Sequence, residues 1–210
     1  YVKGNLLYNN RIYKNVLMNL NAHSDDLQIM IEKSGLFVTL NKAFVQSFTI
    51  EKHKFVNIGR QSNIEKFTGD IFSSVIEGME ASNIDNILPS GYYEIVYDGN
   101  LKLLKKTHKT YSERINQSGN AESKTQIERI FSESVTYFLI KEKLNYKKSM
   151  PNEYEAIVIK RKSALISQMK SKRSEVRQFV RKSNIDYTNK DLLFRSILEF
   201  YESSFNNFIK

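Results

Sequence analysis

The stretch G-Y-Y-E-I-V-Y-D-G-N-L-K-L-L-K-K, residues Gly91–Lys106, decides how this chain is expected to fold. Two runs rich in apolar and aromatic residues, Tyr92–Tyr97 and Leu101–Lys106, flank the dipeptide Asp98-Gly99. Asp-Gly between two such runs is among the strongest short-range signals for an antiparallel hairpin. The stretch therefore predicts two paired antiparallel strands in the middle of the chain.

Residues 1–90, on the N-terminal side of this hairpin, are rich in short apolar runs. Turn residues separate the runs, among them Asn9-Asn10, His23–Asp26 and Gly35. We expect five or six short strands in an antiparallel β-meander or partial barrel that buries one face. The signal weakens after residue 58, and only Ile71–Ile76 is predicted as a further strand.

Residues 91–160 are expected to form a β-hairpin region. A second hairpin is predicted from Val135–Ile140 and Leu144–Lys147, with its turn at Lys141–Lys143. The intervening residues 111–133 are rich in Ser, Asn, Gln and Glu, so we predict a polar loop there.

Residues 161–210 have the spacing of helices. Ser163 and Ser174 are predicted to start two short helices, and Thr188 with Asp191 resembles a capping box that opens a third. One face of the last helix is expected to carry the packed residues Leu193, Ile197, Phe200, Tyr201, Ser204 and Phe208. Because strands come first and helices last, the chain is predicted to be an α+β protein with a C-terminal helical cluster.

The net charge of +9 is concentrated in one segment. Residues 141–182 hold thirteen Lys and Arg against four Asp and Glu, whereas the remainder has nineteen of each sign. Such a segment makes one end of the molecule positive, which either attracts an anionic partner or only keeps the protein soluble.

Within this segment, the spacing of the basic residues predicts a candidate polyanion-binding stripe. If residues 170–182 form a continuous helix, Arg173, Arg177 and Arg181 lie one turn apart, and Lys170 and Lys182 lie beside them. A row of this kind can follow phosphate groups. The alternative is that these side chains form the ordinary solvated face of a helix.

Catalytic and cofactor signatures are not found. His23, His53 and His108 do not have metal-ligand spacing, and the chain contains no cysteine. The eight glycines form no phosphate-binding loop. We therefore expect a protein that is not an enzyme and that uses neither a metal nor a cofactor.

Four segments resemble those of uncharacterised exported proteins of Gram-negative bacteria. They are Gly91–Lys106, Thr136–Lys148 (T-Y-F-L-I-K-E-K-L-N-Y-K-K), Lys162–Met169 (K-S-A-L-I-S-Q-M) and Asp191–Tyr201 (D-L-L-F-R-S-I-L-E-F-Y). The resemblance implies a periplasmic or extracellular location and no particular chemistry. A start at Tyr1 rather than at methionine is consistent with a native N-terminus that has been removed.

These observations predict a non-enzymatic exported binding or structural module. It would recognise a protein or an anionic polymer by its surface. Two alternatives stay open: a polyanion or nucleic-acid binder that uses the basic helices, and a protein that binds a small ligand inside the N-terminal sheet. No apolar run reaches the roughly 20 residues of a transmembrane helix.

Overall fold

A computed structural model describes residues 1–58, 88–116, 126–143, 153–183 and 185–206. Within these residues ten strands form one antiparallel sheet, in the order β10-β9-β8-β7-β6-β5-β1-β2-β3-β4. The strands are β1 (Val2–Tyr8), β2 (Arg11–Asn21), β3 (Asp26–Ile31), β4 (Leu36–Thr39), β5 (Val45–Ile50), β6 (His53–Ile58), β7 (Gly91–Asp98), β8 (Lys102–Asn116), β9 (Gln126–Lys143) and β10 (Glu153–Ile159).

The predicted turns of the N-terminal meander are confirmed. Asn9 and Asn10 both have positive φ angles, 48° and 60°, as a tight hairpin between β1 and β2 requires. Gly35, with φ of 67°, lies in the turn before β4. After β4 the chain crosses over, so that β5 pairs with β1 instead of β4.

The central hairpin is also confirmed, since β7 and β8 pair on either side of residues 99–101. Gly99 lies in this turn, and its N–H donates to the carbonyl of Leu101 at 3.1 Å. A register shift between Ile95 and Tyr97 marks a bulge in β7.

Two predictions for the hairpin region are wrong. The polar loop predicted at 111–133 is strand at 111–116 and at 126–133, because these residues pair with each other in β8 and β9. The turn predicted at Lys141–Lys143 is the end of β9, which pairs there with β10. The predicted partner strand Leu144–Lys147 lies outside the described residues, as does Ile71–Ile76.

The sheet is open, yet it curls far enough to bring the β2–β3 turn against β8. The N–H of Lys109 donates to the carbonyl of Ala22 at 3.0 Å. His23 Nδ1 lies 2.9 Å from the carbonyl oxygen of Lys109. The predicted partial barrel is therefore a curled open sheet. The β2–β3 turn contacts β8, and no strand pairing closes the sheet among the described residues.

Three C-terminal helices follow: α1 (Lys162–Gln168), α2 (Arg173–Lys182) and α3 (Lys190–Asn206). Their existence confirms the helical cluster, but the predicted caps are wrong. The N-cap positions of α1 and α2 are Arg161 and Lys172, without a side-chain cap bond. At α3, Asn189 Oδ1 accepts from the N–H of Leu192 at 3.0 Å, which places the cap one residue after Thr188.

The helices pack on the β7–β10 end of the sheet. Their core includes Leu165, Met169, Val176, Ile197 and Leu198, all fully buried against Leu103, Leu139 and Ile159 of the sheet. Phe194 and Leu198 extend the predicted apolar face of α3, whose member Phe208 lies outside the described residues. Antiparallel strands followed by terminal helices make this an α+β protein, as predicted.

Candidate functional site

Two long strands extend beyond the body of the sheet. β8 pairs with β7 only over Lys102–Lys105, and β9 pairs with β10 only over Tyr137–Lys143. Beyond these points residues 106–116 and 126–136 pair with each other, and we call this part of β8 and β9 the ribbon. At roughly 3.3 Å per residue the ribbon is about 35 Å long. The β2–β3 turn contacts its base at Lys106 and Lys109, so that only the part beyond Lys109 projects.

One face of the ribbon carries cross-strand pairs that alternate between charged and aromatic. Tyr111 lies opposite Phe131, with ring centroids 5.1 Å apart. Ion pairs lie on either side: Lys109 Nζ is 3.4 Å from Glu133 Oε2, and Arg129 Nε is 3.3 Å from Glu113 Oε1. We call these six residues the aromatic ladder; its two positive and two negative charges cancel.

The opposite face of the ribbon is more polar. Thr110 and Ser132 are joined by a hydroxyl–hydroxyl hydrogen bond, and Ser134 donates to the carbonyl of His108. Ile130 is the apolar residue exposed on this face. The two faces therefore offer different surfaces on the same backbone.

The aromatic ladder is exposed although it is the kind of surface that proteins normally bury. Phe131 is 75% exposed and Tyr111 41%, and Ile127, beside the ladder on the same face, is 56% exposed. Two-stranded hairpins are marginally stable alone in water, and large exposed aromatics concentrate at binding surfaces. The ribbon is therefore the strongest candidate for a binding surface in the described part of the chain.

Sequence reasoning missed the ribbon because its composition is polar. A weak period-two signal exists only in the second strand, where the apolar residues Ile127, Phe131 and Val135 fall on one face; residues 107–114 show no apolar alternation. The charges of 126–136 complement those of 106–116 only when the two segments are aligned antiparallel. The polar composition of residues 111–133 therefore gave no indication that the two segments pair.

The three arginines of the predicted basic stripe lie on one helix, α2, but residues 170–182 are not one continuous helix, because Lys170–Lys172 form a separate 3-10 turn before it. Arg173, Arg177 and Arg181 are all exposed on α2, and Val176 and Val180 are buried beneath them. Lys182 at the end of the helix and Lys170 before it are also exposed. Arg173 donates to the carbonyl of Ser167 at 2.9 Å, whereas Arg177, Arg181, Lys170 and Lys182 have no ion-pair partner among the described residues.

Lys172, inside the same basic segment, behaves differently. Only 9% of this residue is exposed, and its Nζ donates to the carbonyl of Ser204 near the end of α3. A cation at a helix C-terminus interacts favourably with the helix dipole. Lys172 therefore joins two helices and does not belong to the surface stripe.

A polar network joins β6, β7, β8 and β9 to α3. Lys105 Nζ lies 2.8 Å from Glu94 Oε2 and 2.6 Å from Asp191 Oδ2. His53 Nδ1 lies 2.5 Å from Glu94 Oε1, and Tyr137 Oη donates to Asp191 Oδ1 at 2.6 Å. All four carboxylate oxygens are engaged, so the network has the geometry of a structural brace.

The electrostatics of this brace follow from its partial burial. Burial lowers the pKa of Lys105, but its hydrogen bonds to Asp191 and Glu94 outweigh this effect and raise the pKa overall. Burial, together with the hydrogen bond to Asp191, raises the pKa of Tyr137. Lys105 is therefore held charged and Tyr137 neutral.

Asp25 organises the contact between the β2–β3 turn and β7–β8. Its Oδ2 lies 2.9 Å from Lys42 Nζ and 3.4 Å from Lys106 Nζ, and its Oδ1 accepts from the N–H of Tyr92 at 3.3 Å. Gly91 has φ of 138°, and a Cβ there would lie 2.1 Å from both Asp25 Oδ2 and Lys106 Nζ. Only glycine leaves room for this ion pair.

The inner side of the N-terminal sheet is filled by side chains. The buried cluster consists of Leu6, Met18, Leu27, Val45, Phe48 and Tyr92. Tyr92 Oη and Asn57 Oδ1 are buried without a hydrogen-bond partner in the described part of the chain. Ser47 Oγ is a third such atom. Binding of a small ligand inside the N-terminal sheet stays a prediction.

Within the described ranges no group of three His, Cys, Asp or Glu side chains could hold a metal ion. Among the same residues, no helix has the length and apolar character needed to cross a membrane. Comparisons with protein-family models, with curated proteins and with solved structures find no match.

Proposed function

We propose that this chain is a non-enzymatic binding protein that presents the aromatic ladder to a protein partner. The observation that carries the proposal is the exposure of the Tyr111–Phe131 pair on a projecting ribbon. The expected location in the periplasm or outside the cell is part of the same proposal.

The chemistry of the ladder favours a protein over a polyanion at this surface. An aromatic centre with charged pairs on either side is the usual anatomy of a protein interface, in which a few buried aromatics supply most of the affinity. Because Lys109, Glu133, Glu113 and Arg129 sum to zero charge, the ladder offers no net attraction to phosphates. The matching partner surface is apolar with charges of both signs at its rim.

Photo-cross-linking from the ribbon tests this proposal. A photoreactive phenylalanine replaces Phe131 on the ladder face or, as the matched control, Ile130 on the opposite face of the same strand. In cells that naturally make the chain, we expect one partner protein to cross-link from position 131 and not from 130. The purified partner should then lose at least about tenfold in affinity for Phe131→Ala, as for an interface hot spot.

Equal cross-linking from both positions, or unchanged affinity of Phe131→Ala, would contradict the proposal. Circular dichroism of each variant shows whether the sheet is retained. Since Phe131 is 75% exposed, its replacement by alanine should leave the fold intact.

A second candidate function is polyanion binding through the basic stripe. It is favoured by three exposed arginines one turn apart on α2, none of which has an ion-pair partner among the described residues. Each phosphate contact releases counterions, so the affinity should fall steeply as salt rises. The function would use Arg173, Arg177, Arg181, Lys170 and Lys182.

A salt titration against heparin and a fluorescent random-sequence oligonucleotide tests the stripe. The triple variant Arg173→Glu/Arg177→Glu/Arg181→Glu should abolish binding. Its matched control, Arg11→Glu/Lys14→Glu/Lys33→Glu, changes the net charge equally at exposed positions of the N-terminal sheet and should retain it. Equal losses in both variants would mean that only the net charge matters.

A further inference from the structure

β4 (Leu36–Thr39) forms an edge of the sheet and is exposed along its whole length. Leu36 and Phe37 are each 61% exposed, and Val38 is 38% exposed. β4 pairs with β3 on one side, and on its other side no described strand pairs with it. It therefore offers an open edge.

The backbone of β4 shows which groups this edge presents. The N–H of Leu40 donates to the carbonyl of Leu27 at 2.9 Å, just beyond the last ladder pair. Hydrogen-bonded and non-hydrogen-bonded pairs alternate in an antiparallel ladder. Hence Val38 and Leu36 bond to β3, whereas the N–H and C=O groups of Phe37 and Thr39 point away from it.

Apart from its short length of four residues, the edge lacks the features by which proteins prevent edge-to-edge pairing. Residues 34–41, S-G-L-F-V-T-L-N, contain neither a charge nor a proline. The β3–β4 pairing has no register shift that would indicate a bulge. By contrast β10, at the other edge, carries the acidic residue Glu155, which pairs with Lys141 at 2.8 Å.

We propose that β4 pairs antiparallel with β4 of a second copy of this chain. In the two-fold register Val38 lies opposite Val38 of the other copy, and the outward groups of Phe37 meet those of Thr39. About four backbone hydrogen bonds then form from groups that otherwise face solvent. An identical strand satisfies this pattern because the two-fold axis makes the interface self-complementary.

Charge is compatible with a second copy as the occupant. The excess positive charge lies in residues 141–182, and β9 and β10 of that segment are at the far end of the strand order. Lys42, which flanks the edge, is already paired with Asp25. Because the interface is short, we expect a dimer that dissociates in the micromolar range.

Sedimentation velocity of the full chain, from micromolar to millimolar concentration, tests the dimer. Wild type should show a concentration-dependent species of twice the chain mass. Val38→Lys and Val38→Glu should each weaken it at least about tenfold, because like charges face each other across the axis. An equimolar mixture of the two variants should restore the dimer.

Val158→Lys on β10, at an exposed position of the other edge, is the matched control and should remain dimeric. Val38→Thr, a conservative change, should also dimerise. A folded wild type that stays monomeric throughout would overturn the proposal. So would a dimer unaffected by Val38→Lys, or variants whose mixture gives no more dimer than each alone.

Discussion

Tyr97 Oη donates a hydrogen bond to Glu202 Oε2 at 2.9 Å, linking β7 to α3 across 105 positions of sequence. The same carboxylate accepts from the N–H groups of Asn100 and Leu101, at 3.1 and 2.7 Å. The side chain of Glu202 therefore holds the turn of the central hairpin against the last helix.

Glu202→Ala should destabilise the protein by about 2 kcal/mol, because it leaves two backbone donors and a partly buried phenol without their acceptor. Urea unfolding followed by circular dichroism measures this change. Glu199→Ala on the exposed side of the same helix should cost less than about 0.5 kcal/mol. Equal effects of the two substitutions would show that Glu202 does not hold the turn.

Asp191→Asn should lower the free energy of unfolding by about 1–3 kcal/mol, since Lys105 is largely buried and loses one of its two carboxylate partners. The comparison is Glu133→Gln, which breaks the exposed Lys109–Glu133 pair and should change stability by less than about 1 kcal/mol. Denaturant titrations of both variants measure the two changes in the free energy of unfolding. A larger loss for Glu133→Gln would contradict the brace.

Gly91→Ala should be more destabilising than Gly35→Ala. Both glycines have positive φ, 67° at Gly35 and 138° at Gly91, so alanine at either position strains the backbone; at Gly35, in the left-handed region, the cost is about 1–2 kcal/mol. At Gly35 a Cβ meets no atom within 4 Å, whereas at Gly91 it collides with Asp25 and Lys106. Thermal unfolding of the two variants should rank them in that order, and the reverse ranking would refute this packing.

Stability should fall at alkaline pH. In the folded state four phenols have a pKa above the ordinary value, and burial is the largest cause in each case. They belong to Tyr92, Tyr93, Tyr97 and Tyr137. Above about pH 10 the unfolded chain ionises these phenols and the folded chain does not, so unfolding releases protons. Their contribution is therefore complete below about pH 10 and is lost as the pH rises further.

Urea unfolding at about pH 8 and about pH 11 measures this loss. The raised pKa of Lys105 acts in the same direction. Tyr137→Phe cannot ionise at that position, so its stability should fall less between the two pH values than that of wild type. An equal or larger fall in the variant would contradict the assignment.

The sequence predicted those hairpins whose turn residues by themselves favour a tight turn. Asn9-Asn10 and Asp98-Gly99 are examples, because the backbone conformation of such turns depends on the residues within them. The helix caps were missed because Ser163, Ser174 and Thr188 are all acceptable caps in isolation. Helix packing, and not the residue type alone, decided where each helix begins.

The candidate surfaces differed in how far they could be predicted. The stripe Arg173, Arg177 and Arg181 follows from helical periodicity, and the structure places it on an exposed helix face. The aromatic ladder needs the pairing of Tyr111 with Phe131, twenty positions away. A polar composition between two hairpin signals therefore predicted a loop where long-range pairing forms strands.

The sequence by itself determined the α+β class, the turns at Asn9-Asn10, Gly35 and Asp98-Gly99, and the basic face of α2, because these depend on residues within one turn or one period of each other. Only the tertiary structure decided the ribbon, the Asp25 contact with β8 and the brace from Glu94 to Asp191. These features join residues that lie far apart in the chain. A contact between such residues produces no recognisable pattern within a short stretch of sequence. The curl of the sheet and the packing of α3 bring them together.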